Sequence, residues 1–155
     1  MANNDVDYVL AQLVDLVNRS ELEFGITIDA NGTQITGTLV SNQTWFDRQA
    51  QAVKAASQIE DNEVGLHTIF EGWRDVNGEA IAEDKKVEKA LEGMELPDRF
   101  QNAIGEASQK AGYIHLAGAR HVTSRGFVPT EGTLWRGRLE AVAGWSVGEI
   151  RQGDA

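Results

Sequence analysis

Around Asn31-Gly32 the chain reads "EFGITIDANGTQITGTLV", and no other stretch constrains the fold as tightly. Before the turn Phe24, Ile26 and Ile28 alternate with Gly25, Thr27 and Asp29, and after it Ile35, Gly37 and Leu39 share one parity. Strict alternation marks a strand with one buried face. Asn-Gly between two such runs is the strongest short-range hairpin signal, because both residues tolerate a positive φ.

Strand character returns in "YIHLAGARHV", where Ile114, Leu116 and Val122 share a parity. A turn-rich "SRGFVPTEG" follows, then "TLWRGRLEAV" and "WSVGEI", making five strands in all, two early and three late. Five short strands do not bury both faces unaided. Val6, Val9, Leu10, Leu13, Leu16 and Val17 recur at helical spacing behind a cap at Asn4 or Asp5, so a helix over 5–18 is expected to cover the sheet. Gly37, Gly118 and Gly137 fall inside strand patterns, where glycine marks bulges and bends.

The fold expected is therefore α+β: a small curled antiparallel five-stranded sheet or open barrel with an N-terminal helix. Its strands lie within 23–41 and 113–151, in one domain of 155 residues.

Between the strand groups the pattern is helical, over about 44–111. Thr44 with Asp47 resembles a loose capping box. Leu66, Ile69, Phe70 and Trp73 keep a helical period until Asn77-Gly78, which reads as a stop. A linker is expected near 75–86, a helix around Val87–Met94, and another from Pro97 to a cap at Gly112.

Charge sorts the same way. Residues 60–106 hold thirteen acids and five bases (−8), whereas 107–155 hold four acids and six bases (+2). The net charge of −10 speaks against a general nucleic-acid binder or attachment to anionic lipid. No apolar run approaches the roughly 20 residues that cross a bilayer. The start, "MANNDVDYVL", has no basic n-region, and with no cysteine a cytoplasmic setting is the simplest expectation.

The search for chemistry turns up little. His115 and His121 are six residues apart, roughly 20 Å on an extended strand, so they chelate one ion only if the strand breaks at Gly118. They read as outward strand residues and His67 as a helix residue, with no metal or cofactor expected. No serine lies in a G-x-S-x-G elbow, and "GWSVGEIRQGDA" lacks the following helix and Lys-Ser/Thr of a phosphate loop. Glu60-Asp61 and Glu83-Asp84 lack the spacing of a calcium loop and read as solvated helix.

What remains are candidate contact residues: Trp45, Phe46, Arg136, Arg138 and Trp145. In "GTLWRGRLEAVAGWSVGEI" alternation turns Trp135, Gly137, Leu139 and Ala141 inward, and Leu134, Arg136, Arg138, Glu140 and Val142 outward. Arg136 and Arg138 then stand about 7 Å apart on one face. They suit a carboxylate-rich partner or the chain's own acidic segment. Equally, they suit acids on neighbouring strands, at about 0–1 kcal/mol per contact. Trp45-Phe46 reads as a core anchor or as a docking patch.

"FGITIDANGTQITGTLVSNQTWFD", then "YIHLAGARHV" and "LWRGRLEAVAGWSVG", resemble the bacterial gas-vesicle accessory proteins of the GvpU kind, over residues 24–47 and 113–148. The "IHL", "WRGRL" and "GWSVG" elements in that order carry the likeness. The resemblance implies a non-enzymatic cytoplasmic accessory of gas vesicle assembly or organisation, at the vesicle surface, whose partners are shell or accessory proteins. It brings no catalytic or binding residues with it. Self-association between the basic sheet and acidic helices, clustering vesicles, is compatible with the charge blocks. The alternatives are a small-barrel Sm-like nucleic-acid-binding module, on fold analogy alone, and an enzyme of unknown type.

Overall fold

The computed structural model describes residues 6–57, 65–91 and 112–151, with side chains outside 79–91. The chain divides into two compact units, Met1–Ser41 with Ala111–Ala155, and Asn42–Lys110.

The first unit is a sheet covered by one helix. Helix α1 spans Tyr8–Ser20, and strands β1 (Phe24–Ala30) and β2 (Thr33–Leu39) form the expected hairpin. Asn31 and Gly32 both have positive φ, 54° and 80°, as a two-residue turn matched to strand twist requires. Strands β3 (Tyr113–Thr123), β4 (Gly126–Arg138) and β5 (Val142–Val147) complete an antiparallel sheet of order β4-β3-β2-β1-β5. It is open, with β4 and β5 at its edges, and does not close into a barrel.

Helix α1 is capped by Asp7, whose Oδ1 accepts the Leu10 amide at 3.0 Å; the expected cap residues Asn4 and Asp5 lie outside the described residues. It buries Leu10, Ala11, Val14 and Val17 against Ile26, Ile28, Ile35, Leu39, Ile114 and Leu116. Each such aliphatic side chain contributes about 1.5–3 kcal/mol by leaving water. Val6, Val9 and Leu16 belong to the same apolar period but stay exposed.

Two boundaries differ from expectation. The "FVPTEG" segment belongs to β4, because the turn closes early, at Ser124-Arg125. Pro129 is tolerated there since an edge strand has one side without ladder partners. Secondly, β4 and β5 are separated by a 3-10 turn over Leu139–Ala141. With about three residues per turn it resets the strand parity. Leu139 stays in the core as expected, but Val142, expected outward, is buried beside it.

The second unit holds α2 (Asn42–Ser57) and α3 (Leu66–Leu91). Helix α2 opens ahead of the Thr44–Asp47 pair, and Asp47 accepts Arg74 Nη1 at 2.7 Å instead of serving a capping box. Helix α3 runs straight through Asn77-Gly78 and through 75–86, which are helix and neither stop nor linker. Asn77 donates to the Trp73 carbonyl at 2.7 Å and accepts from Asn42 at 3.0 Å, while Gly78 leaves room for the Gln43 amide. A turn dipeptide is used here to bring two helices close. The helix expected from Pro97 and the Glu60-Asp61 pair lie outside the described residues, as does Met94 at the end of the preceding expected helix.

Candidate functional site

The face of the sheet away from α1 is polar, and β3 and β4 give it its charge. Cross-strand register pairs Tyr113 with Arg138 and His115 with Arg136. These four therefore share that face, while Ile114, Leu116 and Trp135 point to the core. Arg136 lies over the Tyr113 ring, its guanidinium carbon 3.6 Å from the centroid. Its Nε donates to His115 Nε2 at 3.1 Å.

His115 is on the outward face that alternation suggested, but it is buried there and acts as an acceptor. Burial, with the Arg136 charge beside it, pushes its pKa down to about 3. A neutral imidazole accepting at Nε2 carries its proton on Nδ1. The guanidinium of Arg136 is therefore positioned by an aromatic ring and a neutral imidazole. Arg138, the next outward residue, pairs with Glu140 at 3.3 Å on an exposed edge.

Gly118 explains why the two histidines separate. Its φ is +58°, and the register of β3 slips there against both neighbours. The extra residue of a bulge reverses parity. His121 consequently pairs with Ile35 on the helix-covered side, while Arg120 pairs with Thr36 on the polar side. No three His, Cys, Asp or Glu side chains gather as a metal site would need, among the described residues.

The other candidate residues are placed elsewhere. Trp145 is on the core side of β5, at the opposite edge from Arg136, packed on the core with Nε1 donating to Asp7 Oδ2 at 3.1 Å. Trp45 and Phe46 are buried in the helical unit, in an aromatic cluster with Phe70 and Trp73. Of the five, only Arg136 and Arg138 share a face. That Tyr113 and His115 fix Arg136 does not follow from alternation, because hairpin register across a bulge is not visible in it.

A second polar arrangement departs from the strand expected through "WSVGEI". After Val147 the chain turns at Gly148, φ +109°, and residues 148–150 cross the polar face over β1, β2 and β3. Thr27 Oγ1 donates to the Gly148 carbonyl at 2.9 Å, the Ile150 amide donates to Thr36 Oγ1 at 2.8 Å, and Arg120 Nη2 donates to the Ile150 carbonyl at 3.3 Å. Thr38 donates to Glu149 Oε1 at 2.9 Å.

Fold and face together define an open-sheet α+β protein that presents a braced arginine on an edge strand. Over residues 7–150 the chain matches the family model described as gas vesicle protein GvpU-like. The protein belongs to the GvpU-like gas vesicle protein family, as the sequence motifs implied. No curated protein and no solved structure matches it. No helix among the described residues is long and apolar enough to cross a membrane.

Proposed function

We propose that the protein is a non-enzymatic accessory of gas vesicle assembly or organisation. It works in the cytoplasm at the vesicle surface, through contacts with shell or accessory proteins. The observation that carries this reading is Arg136, clamped between Tyr113 and His115 beside Arg138 on edge strand β4. An immobilised guanidinium loses little freedom on meeting a carboxylate, which is how preorganisation raises affinity.

The same face supports self-association. The block 107–155 carries +2 and the block 60–106 carries −8, so the basic sheet of one molecule attracts the acidic segment of another. Copies bound to different shells then draw the vesicles together. Such contacts weaken with salt, because exposed charges are screened over about 10 Å at 0.1 M.

Replacing both Arg136 and Arg138 by Ala is expected to reduce recruitment to isolated vesicles, and added salt to shift sedimentation toward monomer. Unchanged recruitment by the double variant sinks the assignment of this face. A strict monomer at both low and high salt removes the self-association. The nucleic-acid alternative rests on fold analogy with short curled Sm-like barrels alone, and binding of a labelled oligonucleotide at low salt would favour it over this reading.

A further inference from the structure

The segment crossing the polar face occupies a cradle shaped for extended backbone. Thr27 and Thr36 are 7% and 0% exposed, yet both hydroxyls reach main-chain atoms of residues 148–150. Gly25 opens one end, since a Cβ there would lie 2.9 Å from the Glu149 side chain and 3.1 Å from its amide. At the other end Arg120 holds the Ile150 carbonyl, with its own guanidinium stacked 4.4 Å over Phe127. Thr38 reads the carboxylate of Glu149.

Three properties mark this as a site and not merely as packing. The contacts are mostly to main-chain atoms, so they select extended conformation before sequence. Glu149 and Ile150 are only half-buried and Gly148 is exposed, so no fully buried side chain anchors the segment. The Thr27 and Thr36 hydroxyl oxygens also lie 3.0 Å apart, so the hydrogen bond between them remains when the segment lifts away, and water takes the proton that Thr27 gives to Gly148.

We propose that Gly25, Thr27, Thr36, Thr38 and Arg120 form a peptide-binding groove. Residues 148–151 are its resident strap, and its ligand is an extended Gly-carboxylate-aliphatic segment of a partner protein. The present occupant, Gly148-Glu149-Ile150, shows the chemistry accepted. The partner's segment displaces the strap. This is independent of the arginine pair on β4, and either assignment stands if the other fails.

The test uses a labelled peptide of sequence SVGEIRQGDA and a chain lacking residues 149–155. Saturable binding with Kd below about 100 μM is expected, at least tenfold weaker after Thr36→Val and lost after Gly25→Leu. Absence of saturation up to about 1 mM, by a shortened chain that keeps its near-ultraviolet spectrum, overturns the proposal. Should the shortened chain not fold, amide exchange at Ile150 in the intact protein decides. Opening below the global unfolding energy, accelerated by excess peptide, supports the groove, and exchange only by global unfolding overturns it. Dimerisation of intact chains that Gly25→Leu abolishes overturns the assignment to a foreign partner and puts a second copy there.

Discussion

Arg136 Nε donates to Nε2 of the buried His115, and that single bond requires the imidazole to be neutral. Protonating His115 would create a buried cation in contact with a second one. With the folded pKa at about 3 and the unfolded value near 6.5, the unfolded chain binds the proton first as pH falls. The stability this contributes is complete above about pH 6.5 and is lost progressively toward pH 3. Urea midpoints between pH 7.5 and 5 should show a decline approaching about 1.4 kcal/mol per pH unit from this group, and a flatter profile in His115→Gln. Parallel profiles for the two proteins would contradict the assignment.

Gly137 has a different task from the bending that its position in a strand suggests. A Cβ at this position would run into the indole of Trp135, which folds back over the glycine on the core side. Gly137→Ala should therefore destabilise by about 1–3 kcal/mol as an overpacked core does. Trp135→Phe in the same background should recover part of that loss, because the smaller ring leaves space. Denaturant titration of the two variants and the wild type measures both effects.

Asp7 joins the start of α1 to the far edge strand. One carboxylate oxygen caps Leu10 and the other accepts Trp145 Nε1. The Leu10 amide first, and the Trp145 indole second, hold its pKa below the usual carboxylate value. Asp7→Ala should lower the melting temperature and shift the Trp145 emission, whereas Asp7→Ser should restore the cap but not the emission. If serine restores both, the indole contact has no separate effect.

Gly78 sits inside α3, where glycine costs about 1 kcal/mol relative to alanine. The atoms an added Cβ would meet belong to the end of the flexible Gln43 side chain, 2.8 Å away at Nε2. That amide has room to swing aside, so Gly78→Ala should stabilise the helical unit by about 0.5–1 kcal/mol. Loss of stability on this substitution, read by calorimetry, would mean that the Gln43 contact outweighs helix propensity.

Local signals made the sheet legible. Asn31-Gly32 announced its hairpin, and the parity of Ile114, Leu116, Trp135 and Leu139 announced its core. The misreadings came from residues whose local preference is overridden by packing. Asn77-Gly78 looks like a turn, but Asn42 and Gln43 on the neighbouring helix use both residues without ending α3. The segment 126–131 looks like loop because Gly126 and Pro129 punctuate it, yet an edge position accommodates them. Of the proposed contact face, Arg136 and Arg138 were visible as an alternating pair. Tyr113 and His115 were not, because their partnership depends on register set by a bulge. The strap was hidden for the opposite reason, its residues continuing an alternation that the chain abandons at Gly148.

The bulge at Gly118 carries a consequence for sequence comparison within the family. It places His115 and Arg120 on one side of β3 although five positions separate them, an odd interval that a regular strand would send to opposite sides. Deleting a single residue there would interchange inside and outside for everything from Ala119 to Thr123, thrusting Arg120 toward the oil. A gap aligned at this point is thus a claim about three-dimensional sidedness, and length at positions 117–119 is a sharper criterion of shared architecture than identity.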